Sequence, residues 1–194
     1  MYTLDASSGL LAEVQQTVSP NSDKRPDGCE PDLIVVHGIS LPPGEFGGPW
    51  IDQLFTNTLP AEGHPYFVEI AGLRVSAHFL IRRDGGLVQY VSVNQRAWHA
   101  GESCFESREC CNDFSIGIEL EGGDQIPYED AQYHCLAKLI DSLRAQKDSL
   151  ANARIVGHSD IAPGRKTDTG EAFDWHYLDS LLAATGNNSG TGTD

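Results

Sequence analysis

The chain has 194 residues, 40% of them hydrophobic, enough for one domain with a sizeable core. Its 28 acids against 13 Lys and Arg give a formal charge of −15, which disfavours nucleic acid and anionic membranes as partners. No apolar run reaches the length of a transmembrane helix. The opening MYTLDASSGLLAEV lacks the basic start and long apolar stretch of a secretory signal. Five cysteines, Cys29, Cys104, Cys110, Cys111 and Cys135, form no CxxC pair and are expected as reduced thiols. The expectation is a soluble, cytoplasmic protein.

Residues 19–32, SPNSDKRPDGCEPD, read as a long loop. Leu33 to Val36 predict a buried strand ending at His37. A loop follows over 41–49, then a short helix from Trp50 to Phe55 after Pro49. Residues 78–91 predict two strands joined by a turn at Asp84-Gly85-Gly86. Residues 115–122 alternate Ile116, Ile118 and Leu120 against Ser115, Gly117, Glu119 and Glu121, the pattern of a half-buried strand. Leu136, Leu139, Ile140 and Leu143 mark an amphipathic helix over about 129–147, with acids at its start and bases at its end. Arg154 to Gly157 form another short strand. Asp174 is placed to cap a last helix that buries Leu178, Leu181 and Leu182. The stretch 186–194, GNNSGTGTD, is expected as a disordered tail, leaving one domain over 1–185. Interleaved strands and helices with one hairpin predict an α/β fold, a central mixed sheet flanked by helices.

His37, Glu119 and His158 each stand at or near the end of a predicted strand, where a rigid element meets a loop. Two histidines and one carboxylate form a common catalytic zinc set with one open position. Asp168 lies beyond Pro163 and Gly164 and is a second carboxylate able to fold back to that point. Taken alone it also reads as a turn or cap residue. The zincin pattern HExxH is absent.

Six blocks carry a resemblance: VVHGISLPPGEFGG (35–48), HPYF (64–67), LRVSAHFLIRRDG (73–85), RAWHAG (96–101), CNDFSIGIELEG (111–122) and IAPGRKTD (161–168). In order and spacing they resemble the AmpD family of zinc-dependent 1,6-anhydro-N-acetylmuramyl-L-alanine amidases, over about residues 8–182. The wider fold group includes phage amidases and peptidoglycan recognition proteins. The resemblance implies one Zn2+ per chain on His37, His158 and Asp168, with Glu119 and Lys166 as the catalytic pair. It makes Tyr66, Arg74, Trp98, Ala162 and Arg165 candidates for contact with an anhydro-muropeptide. A monomer acting in cytoplasmic peptidoglycan recycling is expected.

An amide is a poor electrophile and water a poor nucleophile, and a zinc ion addresses both. An aspartate in place of a third histidine lowers the net charge at the metal, so a nearby base gains value, and Glu119 is its candidate. Glu121, on the same strand face, is a rival. Lys166 would meet the oxyanion, its alternative being a solvated surface lysine. Arg74, Arg165 and Lys166 would make a positive cleft in a negative protein. Tyr66 and Trp98 would stack on the sugar or pack in the core. His78 is expected as a buried core histidine, His64 as a turn residue, His134 and His176 on the surface, and Asp160 as a loop-stabilising acid. Three positions depart from the family: Cys110 replaces an arginine, with Arg108 as a possible substitute. Gly38 replaces an asparagine, and Thr169 a proline. The rival function is a module of the same fold that binds muropeptides without cutting them. A metallopeptidase cutting within the stem is a third.

Overall fold

Alternation in the sequence becomes a six-stranded mixed sheet in the computed structural model, which describes residues 1–186. Its strands are β1 (Gln15–Gln16), β2 (Leu33–Ile39), β3 (Phe79–Ile81), β4 (Leu87–Gln89), β5 (Ser115–Glu121) and β6 (Arg154–Gly157). Their order across the sheet is β6-β2-β5-β3-β4-β1. The pairs β6–β2, β2–β5, β5–β3 and β4–β1 are parallel, and only β3–β4 is antiparallel. The β3–β4 turn closes where Gly85 takes a positive φ of 83° and Arg82 N–H donates to Gly86 O at 2.8 Å.

The helices are α1 (Trp50–Phe55), α2 (Phe67–Ile70), α3 (Asp130–Gln146), α4 (His158–Ile161) and α5 (Trp175–Gly186). Helix α3 starts on a capping box between Glu129 and Gln132, and Asp174 caps α5 by accepting from Tyr177 N–H at 2.8 Å. Helices α3 and α5 cover one sheet face, where Ile34, Val36, Ile116, Ile118 and Leu120 meet Leu136, Leu139, Ile140, Leu143 and Leu178. Ile51, Leu54, Phe55 and Phe67 from α1 and α2 pack on Leu80, Val88 and Tyr90 on the other side. Among the described residues no helix is long and apolar enough to cross a membrane, and all five cysteines are free thiols.

Several predicted boundaries differ. Strand β2 does not end at His37 but runs on to Ile39, because β5 continues to pair with it through Glu121. The 19–32 loop contains a strand, Ser22–Lys24, paired antiparallel with Gln95–Ala97. The two hairpin strands are shorter than predicted, three residues each. Strand β5 is buried along its entire length rather than on one face. It lies at the centre of the sheet, and its polar face turns toward a covered site instead of solvent. Leu181 and Leu182 on α5 are only partly buried, while Leu178 is fully so. The predicted tail lies outside the described residues, apart from Gly186, the last residue of α5.

Candidate metal centre and active site

The parallel register of β2 and β5 sets His37 directly beside Glu119. Strand β6 ends at Gly157, opposite Val36, so the next residue, His158, arrives next to His37 as α4 begins. All three stand toward the carboxyl ends of neighbouring parallel strands, where α/β sheets place their ligands. The loop after α4 turns back, and Asp168 O accepts from Ser159 N–H at 2.9 Å. His37 Nδ1 lies 2.9 Å from His158 Nδ1 and 3.5 Å from Asp168 Oδ2, and His158 Nδ1 lies 3.0 Å from the same Oδ2. The three ligand atoms fall within 4.8 Å of one another.

These groups fit a zinc ion in chemistry as well as position. A metal needs neutral imidazoles and an ionised carboxylate. Burial lowers the His37 pKa to about 4, against the opposing pull of Asp168. Burial pushes the Asp168 carboxyl up, but the adjacent His158 and His37 rings outweigh it and hold the group well below the usual carboxylate range.

Glu119 is buried, and its Oε2 has no hydrogen-bond partner. Burial, reinforced by the charge of Asp168, raises its pKa well above the ordinary carboxylate value, and Lys166 pulls it back. A buried carboxylate atom without a partner costs free energy, and such groups concentrate where chemistry occurs. Glu121 is in the opposite situation. It accepts from Gly47 N–H at 3.0 Å, Arg82 Nη1 at 3.0 Å and Arg83 N–H at 3.1 Å, so its lone pairs are committed. Lys166 is exposed and makes no ion pair among the described residues.

A cavity of about 550 Å³ opens over the cluster, lined in part by Tyr66, Glu119, His158, Arg165, Lys166 and Asp168. Arg74 and Trp98 are not in its wall. Arg74 is exposed and donates to Gly72 O and Leu73 O, so the expected triple cation cluster reduces to Arg165 and Lys166. Arg165 itself donates to Ala100 O and Glu102 O. Trp98 is half-buried. Ala162 is buried and lines a second cavity of about 460 Å³ with Arg165, Cys104 and Cys110.

Arg108, offered as the substitute at Cys110, is engaged elsewhere. It holds both oxygens of Asp32, at 3.0 and 2.8 Å, and lies over the Phe114 ring. Thr169 is buried, and its carbonyl accepts from Tyr128 Oη–H at 3.1 Å, which ties the loop down beside Asp168. His78 is buried and accepts from Gly117 N–H, His64 accepts from Tyr66 N–H, and Asp160 accepts from Gly157 N–H. His134 and His176 are exposed. Sequence reasoning missed the parts played by His99, Ser115 and Tyr128. The one signal was the polar phase of the 115–121 alternation, which pointed to a polar face but not to its burial.

Comparison with known proteins shows which family and fold the chain resembles. A family model described as N-acetylmuramoyl-L-alanine amidase matches residues 27–171. The 1,6-anhydro-N-acetylmuramyl-L-alanine amidase AmpD of Escherichia coli K12 is 59% identical over 175 residues, covering 90% of this chain and 95% of that protein. A crystal structure of a selenomethionine AmpD derivative superimposes with a TM-score of 0.88 at 57% identity, covering 93% of this chain and 99% of the other. The amidase AmiD of E. coli, in complex with its substrate anhydro-N-acetylmuramic acid-L-Ala-D-γ-Glu-L-Lys, superimposes with a TM-score of 0.55 at 25% identity. That match covers 81% of this chain and 60% of AmiD.

Proposed function

The chain belongs to the N-acetylmuramoyl-L-alanine amidases, and from that premise we propose how its residues hydrolyse the amide between 1,6-anhydro-N-acetylmuramic acid and L-alanine. His37, His158 and Asp168 hold one zinc ion. The convergence of their three donor atoms within 4.8 Å carries this reading. When bound, zinc supplies Lewis-acid polarisation of the carbonyl and acidifies water.

Glu119 is the proton carrier. Its buried Oε2, free of partners, is available to take a proton from the attacking water. It then returns that proton to the departing L-alanine nitrogen. Lys166, on the cavity wall, offers its ammonium to the oxyanion of the tetrahedral intermediate. Tyr66 lies along the sugar or the first stem residues, and Arg165 presents positive charge to a stem carboxylate. Arg74, Trp98 and Ala162 act outside that wall, in the approach or the frame of the cleft. Every group comes from one chain, so a monomer suffices. Residues 1–185 form the catalytic domain. Five free thiols suit a reducing compartment, which supports a cytoplasmic role in peptidoglycan recycling.

A module that only binds muropeptides has no use for a buried, unpartnered carboxylate, and Glu119 argues against it. The test compares wild type with Glu119→Ala for zinc content and muropeptide turnover. The expected variant keeps its zinc and loses at least ~10²-fold in rate. A wild type without zinc that returns its muropeptide intact establishes the binding module. Mass spectrometry of the products separates release of the sugar from cleavage within the stem.

A further inference from the structure

Both proposed histidine ligands offer Nδ1 to the cluster, and both rest their Nε2 on the same short segment, His99-Ala100. His158 Nε2 lies 3.3 Å from Ala100 O. A carbonyl only accepts, so this nitrogen carries the proton and Nδ1 keeps its lone pair. His37 reaches the same state through a relay. Ser115 Oγ–H donates to Cys111 O at 2.5 Å, which uses its one proton. His99 Nε2 lies 3.0 Å from that Oγ, so it must be the donor there. His99 is buried, and a neutral imidazole carries a single proton. With its proton on Nε2, its Nδ1 is bare. His37 Nε2, 2.9 Å away, then has to donate to it. The His37 Nδ1 lone pair is left facing His158 and Asp168.

Two further features hold this platform. Asn112 Oδ1 accepts from both His99 N–H at 3.1 Å and Ala100 N–H at 2.8 Å. A Cβ at residue 117 would come within 2.4 Å of His99 Cγ, so only glycine on β5 admits the ring.

We propose that His99 is a positioning residue. Anchored by Ser115, it fixes the Nε2–H tautomer of His37 and turns that ligand's Nδ1 toward the metal. The proposal rests on the zinc reading above. Outer partners of this kind orient metal-bound imidazoles, and their loss typically costs about 10–100-fold in metal affinity.

Zinc affinity is measured by chelator competition on wild type, His99→Leu and His99→Asn, and ring tautomers are read from long-range 1H–15N correlation of the zinc-loaded protein. His99→Leu keeps bulk but has no acceptor, and it is expected to bind zinc ~10–100-fold more weakly. His99→Asn puts an amide oxygen near the place of Nδ1 and is expected to retain most of the affinity. His37, His99 and His158 are expected to carry protons on Nε2 alone. Undiminished affinity in His99→Leu, an equal loss in both variants, or a proton on His99 Nδ1 overturns the relay. If the leucine variant does not fold, Ser115→Ala takes its place. It frees the His99 ring and is expected to mix its tautomers and weaken zinc binding, whereas unchanged tautomers and affinity overturn the proposal. A wild type that takes up no zinc overturns the metal reading instead.

Discussion

Glu119 and Glu121 share one face of β5, yet only Glu119 is free for chemistry, because Arg82 and two backbone N–H groups occupy Glu121. Residue type and spacing made the two equivalent, and only neighbours distant in sequence tell them apart. Lys166 poses the same problem in reverse, since an exposed lysine becomes functional only through the cavity it lines. Lys166→Ala is expected to lower kcat by ~10²–10³-fold, about 2.7–4 kcal/mol of barrier, with little change in KM, as steady-state kinetics will show. An unchanged kcat would return it to the solvated surface. The buried histidines make a different prediction. His78 has a pKa lowered to about 3, chiefly by burial, and His99 is lowered well below its ordinary value for the same reason. The unfolded chain therefore binds more protons than the native one as pH falls from about 6.5 toward 3. Stability is full above that window and falls on acidification, by up to about 1.4 kcal/mol per pH unit for each proton taken up. Urea unfolding from pH 7 to pH 4.5 measures this, and a flat profile would count against neutral burial of these rings.

At the level of elements, the alternation over 115–121 predicted a strand correctly and its surroundings wrongly. Hydropathy separates apolar from polar faces but does not separate water from a buried polar network. Ser115 and Gly117 serve His99, Glu119 faces the cavity, and Glu121 binds Arg82. The bounds of α1, α3 and β6 were nearly legible, because proline, capping residues and apolar runs act locally. Tyr128 escaped notice, although it packs against Gly38 on β2 and Gly122 just after β5. Its hydroxyl would lie 2.3 Å from a Cβ on Gly38, and its ring 2.2 Å from one on Gly122. Glycine at position 38 thus leaves room for the tyrosine that holds Thr169. Gly38→Ala is expected to cost about 1–3 kcal/mol by overpacking. Adding Tyr128→Phe should recover much of this loss, because the next nearest ring atom lies 3.6 Å away. Chemical denaturation of both single variants and the double variant checks the coupling, and purely additive losses would sink it.

Across the whole molecule, the proposed metal ties β2, the start of α4 and the returning loop at Asp168 into one unit. A ligand that binds only the native state raises its stability, by about 4 kcal/mol at a thousandfold excess over Kd. Zinc is therefore expected to raise the thermal midpoint and a chelator to lower it, while His158→Ala should show no zinc-dependent shift in scanning calorimetry. The charge of −15 sets a negative field, and Lys166 and Arg165 are the cations of a cleft wall that also carries Glu119, Asp124 and Asp168.

By itself the sequence determined the mixed α/β fold, the order of the main elements and, through six spaced blocks, the family and the residues to examine. Those depend on local propensity, periodicity and motif spacing, all written along one dimension. The tertiary structure decided which carboxylate stays unpartnered, which cations line the cavity and which imidazole nitrogens face one another. Each of these depends on burial and on hydrogen-bond partners contributed by distant segments, and neither exists until the chain has folded.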